Sequence, residues 1–137
     1  MIKGNILLID DDEDDQFIFK DILKEIHFPY DCRVAGDGLE AVSRLTDGEE
    51  LPAIIFLDLN MPLMNGVEFL THMKDHPSIN RIPIVIFSTS NNPADRVKLP
   101  ILGASLFITK TGDFKELKYK LTEILNDQQA RTSCSIL

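Results

Sequence analysis

Short apolar runs alternate with longer amphipathic stretches along the chain, and this alternation predicts an α/β protein. Five of the runs have the length and the nearly continuous apolar character of strands buried on both faces of a parallel sheet. The second is short and flanked by charged residues, so we expect it at an edge of the sheet. In chain order, the predicted strands are Asn5–Ile9, Cys32–Ala35, Ala53–Leu57, Pro83–Phe87 and Ser105–Ile108.

Apolar residues that recur at helical spacing predict five helices, each following one of the strands. The helices are predicted to begin near Glu13, after Asp37-Gly38 and at Gly66, and then to cover about residues 94–102 and 113–126. Pro77 is expected to stop the third helix. The apolar positions on these helices are Phe17, Ile18, Ile22, Leu23 and Ile26 in the first, Leu39, Val42 and Leu45 in the second, Val67, Phe69, Leu70 and Met73 in the third, and Phe114, Leu117, Leu121, Ile124 and Leu125 in the fifth.

Five strands alternating with five helices predict a flavodoxin-like, doubly wound (βα)5 sandwich of three layers. The parallel strand order 2-1-3-4-5 is the usual one for this architecture, so it is not an independent prediction. We predict one domain over residues 1–127 and a disordered C-terminal tail over residues 128–137. Open sheets of this kind bind ligands at the carboxyl ends of their strands, here in the crevice between strands one and three.

Carboxylates follow the two strands that flank this crevice. Asp10 and Asp11 come directly after the first strand, and Asp58 comes directly after the third. Each pair of like charges at ~4 Å costs up to ~4 kcal/mol at an effective dielectric near ~20, so the three acids would not all stay ionised unaided. A hard divalent cation removes this cost, and Mg²⁺ suits a site with few carboxylates.

Two further polar residues follow the remaining strands. Ser88 comes after the fourth strand and offers a hydroxyl, and Lys110 comes after the fifth and offers a compact positive charge that suits phosphate. Phosphoryl transfer requires in-line positioning and neutralisation of the phosphoryl oxygens, and these groups can supply both. The residues therefore lead to the hypothesis that Asp58 accepts a phosphoryl group.

Composition excludes several classes of partner. The net charge is −8, from 22 acidic and 14 basic residues, which argues against binding to nucleic acid or an anionic membrane. No apolar run approaches the ~20 residues of a membrane span. Cys32 and Cys134 form no metal-type cluster and indicate a reducing, cytoplasmic setting. Residues 134–137 superficially match a prenylation box, but no polybasic signal accompanies them, and we interpret them as a frayed end.

The same residues resemble the response-regulator receiver domain of two-component signalling. The resemblance covers about residues 3–126 and rests on Asp10-Asp11, Asp58 within Leu-Asp-Leu-Asn-Met-Pro-Leu-Met-Asn-Gly66, Ser88 and Lys110, which occur in the family's order and spacing. It implies that Asp58 is the phosphoacceptor and that the donor is a sensor histidine kinase or a histidine phosphotransfer protein. Two segments, residues 58–62 and 81–90, further resemble a subset of single-domain receivers that includes bacterial partners of phytochrome-type kinases.

The resemblance also implies a role for each residue around Asp58. Asp11, Asp58 and the backbone carbonyl of Asn60 would bind Mg²⁺ directly, with Asp10 acting mainly through water. Ser88 and Lys110 would hold phosphoryl oxygens, Phe107 occupies the position of the aromatic switch, and Asn60 and Ser90 would tune the phosphoryl lifetime. For Phe107, a purely structural place in the core is an equal alternative.

The sequence departs from the family pattern at three positions near the site. Thr111 follows the lysine where proline is usual, which predicts a more mobile loop, and Ser88 replaces the commoner threonine. Asp12 adds a third consecutive acid with no assigned role.

The leading hypothesis is a stand-alone, chemotaxis-receiver-like regulator and not a turnover enzyme. It would promote its own phosphorylation and dephosphorylation and dock to an unidentified downstream protein, with a homodimer through the fourth helix, fifth strand and fifth helix as one arrangement. The alternative is a degenerate receiver that binds a partner without phosphorylation. A haloacid-dehalogenase-like phosphatase fits less well, because that family carries Asp-x-Asp on the first strand and this chain has adjacent acids there.

Overall fold

The computed structural model describes residues 2–89 and 92–126 and the backbone of residues 135–136. Strands and helices alternate along the chain, as the hydrophobic pattern predicts. In order, the elements are β1 (Ile6–Ile9), α1 (Glu13–Glu25), β2 (Cys32–Ala35), α2 (Gly38–Thr46), β3 (Ile54–Leu57), α3 (Gly66–Met73), β4 (Ile84–Ser88), α4 (Pro93–Ile101), β5 (Leu106–Thr109), α5 (Phe114–Asn126) and β6 (Ser135–Ile136).

The strands form one parallel sheet in the order β2-β1-β3-β4-β5-β6. The predicted order 2-1-3-4-5 is therefore confirmed, and β2 lies at an edge of the sheet as expected. The two-residue strand β6 extends the sheet beside β5 and was not predicted. It belongs to the segment predicted as a disordered tail, of which the structure describes no other residue.

Alternation along each strand divides the core into two apolar layers, because successive side chains point to opposite faces of a sheet. From β1, Leu7 and Ile9 enter the layer shared with residues of α2, α3 and α4, while Ile6 and Leu8 enter the layer shared with α1 and α5. All four strand residues are buried. The sheet is thus covered by helices on both faces, which gives the predicted three-layer sandwich.

The inner face of α1 differs from the prediction. Phe17 is 72% exposed and Ile18 is 38% exposed, whereas Phe19 packs edge-on against Phe56 with ring centroids 4.9 Å apart. The buried stripe runs through Phe19, Ile22 and Leu23. The prediction missed Phe19 because Phe17, Ile18 and Phe19 are consecutive apolar residues, and their spacing alone does not show which of them faces the core.

Three smaller differences concern helix ends. Leu39 and Phe114, in the first turns of α2 and α5, are exposed rather than buried. The helix α3 ends at Met73, four residues before Pro77, and hydrogen-bonded turns follow it up to residue 81.

No helix within the described residues is long and apolar enough to cross a membrane.

Candidate functional site

Sheet register brings the acidic residues together at one edge. Ile9 at the end of β1 pairs with Leu57 at the end of β3, so Asp10 and Asp58 leave neighbouring strands at the same level. The Asp58 N–H donates to the Ile9 carbonyl at 2.9 Å, which extends the ladder to the acid itself. On the other side, the Lys110 N–H donates to the Ser88 carbonyl at 2.9 Å, which places the lysine beside the end of β4.

Three carboxylates form a cluster that can hold a metal ion. One oxygen from each of Asp10, Asp11 and Asp58 lies within 4.8 Å of the others. Asp10 is fully buried and Asp58 is 7% exposed, while Asp11 is exposed to solvent. The all-oxygen donor set, with one side open to water, fits a hard cation that keeps part of its hydration shell. Asn60 is exposed, and its N–H makes only a long contact of 3.5 Å to Oδ1 of Asp58.

Burial makes the two inner carboxylates costly to ionise. It raises the pKa of Asp58 above its ordinary value, although the charge of Lys110 and hydrogen bonds from Ser88, Asn60 and Leu59 act in the opposite direction. Burial also raises the pKa of Asp10, against the hydrogen bond and charge of Lys110 and the backbone N–H of Asp12. One lysine does not fully compensate two buried acids, and this residual cost is what a bound cation would remove.

Lys110 is the cationic centre of the site. Its Nζ donates to Oδ2 of Asp10 at 2.7 Å and to Oδ2 of Asp15 at 2.9 Å, and lies 3.7 Å from Oδ2 of Asp58. The ammonium also lies 4.9 Å from the ring centroid of Phe87. Burial alone would lower the pKa of Lys110, but the hydrogen bonds to Asp10 and Asp15 and the charges of Asp10 and Asp58 together outweigh it, and the pKa is raised.

The structure describes two of the remaining predicted site residues, Ser88 and Phe107. Ser88 is fully buried and its hydroxyl donates to Asp58. Phe107 is only 4% exposed and packs in the core layer of α2, α3 and α4, with the guanidinium carbon of Arg96 5.1 Å from its ring centroid. Ser90 lies outside the described residues.

Two residues near the site have roles that sequence analysis did not assign. Asp12 is the N-cap of α1, and its carboxylate accepts from the N–H groups of Asp14 at 2.8 Å and Asp15 at 3.1 Å. Asp15 binds Lys110, whereas an acid in the first turn of a helix is ordinarily expected only to interact favourably with the helix dipole. The sequence signal for this pair was the position of Lys110 after the fifth strand, which by itself indicates no particular partner.

The loop after Lys110 is tied to the start of α5. The Thr111 hydroxyl lies 3.3 Å from Oε2 of Glu116 and accepts from the Asp113 N–H at 3.4 Å. The Glu116 N–H in turn donates to the Asp113 carboxylate at 3.2 Å. Thr111 therefore links Asp113 and Glu116 at the start of α5, and this gives it a structural role.

Comparison with known proteins agrees with this architecture and site. The family described as the response regulator receiver domain matches residues 6–122. Response regulator Rcp1 from Synechocystis sp. is 32% identical over 117 residues, which cover 82% of this chain and 80% of Rcp1.

Two solved structures superpose on most of the chain. The Mn²⁺-bound form of Rcp1 does so with a TM-score of 0.81 at 30% identity, covering 88% of this chain and 91% of that chain. The phosphorylated cyanobacterial phytochrome response regulator RcpA gives a TM-score of 0.82 at 29% identity, covering 89% of this chain and 93% of that chain. With the family match across most of its length, this chain belongs to the response regulator receiver domain family.

Proposed function

We propose that this chain acts as a cytoplasmic response regulator that accepts a phosphoryl group on Asp58 in a Mg²⁺-dependent reaction. One observation carries the proposal: Asp58 stands at the mouth of the crevice, 7% exposed, in a cluster with Asp10 and Asp11 and 3.7 Å from the ammonium of Lys110. Rcp1 was crystallised with Mn²⁺ and RcpA in phosphorylated form, and both relationships support the proposal.

The donor is a sensor histidine kinase or a histidine phosphotransfer protein. A carboxylate oxygen of Asp58 forms a bond to phosphorus while the P–N bond of the donor's phosphohistidine breaks and its electron pair returns to the imidazole. Lys110 and the Ser88 hydroxyl hold oxygens of the transferred group as its charge shifts toward Asp58. Asp11, Asp58 and the Asn60 carbonyl would bind Mg²⁺ directly, with Asp10 acting mainly through water, and the ion would supply charge neutralisation.

Phosphorylation controls docking to an unidentified downstream protein. Movement of Ser88 toward the phosphoryl group changes the space beside Phe107, and Phe107 packs against α4 through Arg96. The surface of α4 carries Val97 and Ile101, which are 72% and 71% exposed and available to a partner. Asn60 and Ser90 tune the lifetime of the phosphoryl group, and the chain itself promotes both its phosphorylation and its dephosphorylation.

Labelling with a small phosphodonor tests this function directly. In the presence of Mg²⁺ and acetyl phosphate or phosphoramidate, intact-mass measurement should show one added phosphoryl group that is lost at alkaline pH. Asp58→Asn should remove the labelling, whereas the control Asp75→Asn, an exposed acid in the turn after α3, should keep it. Persistent labelling of Asp58→Asn would refute the assignment. Absence of labelling in the unsubstituted protein would overturn the proposal and point to a phosphorylation-independent binding module.

A further inference from the structure

Lys110 is held by a carboxylate that lies outside the predicted site. Asp15, in the first turn of α1, binds the ammonium at 2.9 Å across a separation of 95 residues. The Lys110 side chain is only 9% exposed and the Asp15 side chain 32%, so the pair closes one side of the crevice.

The ammonium of Lys110 lies near three carboxylates but donates hydrogen bonds to only two of them. Asp10 and Asp15 each accept a hydrogen bond, at 2.7 and 2.9 Å, whereas Asp58 lies 3.7 Å away, beyond hydrogen-bond distance. A lysine ammonium has three N–H groups. Two are therefore committed to Asp10 and Asp15, and the third is left for an acceptor on the side of Asp58.

We propose that Asp15 is a positioning residue for phosphoryl transfer to Asp58, acting through Lys110. This inference rests on the proposed function. Asp15 and Asp10 together hold the ammonium from two sides, so that its third N–H faces the place where a phosphoryl group on Asp58 would lie.

Hydrogen bonds at the start of α1 hold Asp15 in this place. The Asp12 N–H donates to Oδ1 of Asp10 at 3.0 Å, and Oδ1 of Asp12 accepts from the Asp15 N–H at 3.1 Å. The first turn of the helix is thus tied to the end of β1, where the reacting carboxylates begin. Asp15 is presented to Lys110 by a rigid element and not by a loop.

Asp15 could instead compete with the phosphoryl group for Lys110, and two effects argue against this. An ammonium that is already fixed loses less side-chain entropy when it binds a phosphoryl oxygen. The opposing repulsion between Asp15 and a phosphoryl group acts through a carboxylate that is about one-third exposed, where solvent screens it. We therefore expect positioning to outweigh competition.

Asp14 provides a matched control for the loss of charge. It is the adjacent acid in the same helical turn and is exposed, and no contact between it and Lys110 occurs within the described residues. With phosphoramidate and Mg²⁺, we expect Asp15→Ala to lower the saturating rate of phosphoryl incorporation about tenfold, with Asp15→Asn in between because an amide oxygen still accepts one hydrogen bond. Asp14→Asn should stay within about twofold of the unsubstituted protein, because it keeps the Lys110 contact.

A second measurement needs neither metal nor phosphodonor. In ¹⁵N-labelled protein, the ammonium of Lys110 should give a slowly exchanging NMR signal that persists in Asp14→Asn and is lost in Asp15→Ala. A role of Asp15 limited to stabilising α1 would leave this signal in place. If Asp15→Ala does not fold, the same comparison between Asp15→Asn and Asp14→Asn decides the matter, with a weakened signal and a lower rate expected only in the former.

The outcomes separate this inference from the function on which it rests. If the unsubstituted protein is not labelled, the proposed function fails and the inference fails with it. If it is labelled, but the Asp15 variants match Asp14→Asn in rate, only the positioning role is overturned. A faster rate in the Asp15 variants would likewise overturn it, because Asp15 would then compete for the lysine.

Discussion

The inner acids of the site are placed where their charge is difficult to maintain. Asp10 and Asp58 are buried, share one lysine, and have raised pKa values because burial penalises their ionised forms. A protein selected for stability alone would carry neutral residues at such positions. The free-energy cost of keeping both acids ionised would be reduced by a bound cation. Its effect on stability can be measured in the metal-free protein.

Asp58→Asn should stabilise the metal-free protein. The change removes a buried charge and keeps the size of the side chain, so we expect a gain of about 1 kcal/mol at neutral pH, or roughly 3 °C in Tm. The control Asp75→Asn should change Tm by much less, because Asp75 is exposed. Thermal unfolding in chelator measures both, and a lower Tm for Asp58→Asn would contradict the prediction.

The same comparison should depend on pH. The pKa of Asp58 is raised above 3.8 in the folded state, so the folded protein takes up its proton at a higher pH than the unfolded chain. This protonation contributes stability that is fully present below pH 3.8 and is lost as the pH rises through the folded-state pKa. The advantage of Asp58→Asn should therefore be largest at neutral pH and shrink on acidification, and an unchanged advantage would contradict the assignment.

Asp11 should couple metal binding to stability. It is the exposed member of the acidic cluster and can reach a cation without a buried-charge penalty of its own. At a Mg²⁺ concentration ten times Kd, the folded protein should gain about 1.4 kcal/mol. Asp11→Asn should raise that Kd and reduce the Mg²⁺-dependent rise in Tm, whereas Asp75→Asn should not. An equal response to Mg²⁺ in Asp11→Asn would exclude Asp11 from the metal site.

Among the elements, the start of α3 lies very close to the backbone of Asp58, the proposed phosphoacceptor. A Cβ on Gly66 would stand 2.6 Å from the backbone oxygen of Asp58, and the Gly66 N–H donates to the Leu59 carbonyl at 2.9 Å. The helix can therefore begin against the backbone of the site only because Gly66 has no side chain. Its N-cap Asn65 and Glu68 form a reciprocal capping box, which holds the helix start in that place.

Gly66→Ala should consequently destabilise the fold by about 2 kcal/mol, because the backbone of Asp58 and Leu59 would have to move. Gly36→Ala is the matched control, since a Cβ there would meet only the Glu40 carboxylate at an ordinary 3.6 Å. Urea denaturation of both variants measures the difference. Equal free energies of unfolding would show that the close approach relaxes without cost.

At the scale of the whole molecule, α4 and α1 each present exposed apolar residues, on opposite faces of the sheet. On α4, Val97 and Ile101 project from the helix that packs against Phe107 through Arg96. On α1, which covers the other face of the sheet, Phe17 is also 72% exposed. The surface on α4 adjoins the proposed switch directly, because Arg96 of α4 contacts the ring of Phe107 in β5.

If the face of α4, β5 and α5 forms a homodimer on phosphorylation, Val97→Asp should prevent it. Sedimentation with Mg²⁺ and beryllofluoride, a phosphoryl mimic, should shift the unsubstituted protein toward a dimer and leave Val97→Asp monomeric. Phe17→Asp, which removes an equally exposed apolar side chain on α1, should still dimerise. Dimerisation of Val97→Asp, or loss of dimerisation in both variants, would exclude this face as the specific interface.

The sequence by itself determined the order of elements and most of the site. Apolar runs fixed where strands end, and because parallel strands share one carboxyl edge, Asp10, Asp58 and Lys110 had to meet there. Only the tertiary structure decided that Asp15 binds Lys110 and that Phe19, rather than Phe17, enters the core. Both depend on the rotation of α1 about its own axis. Packing against the sheet sets that rotation, and the spacing of residues along one helix does not.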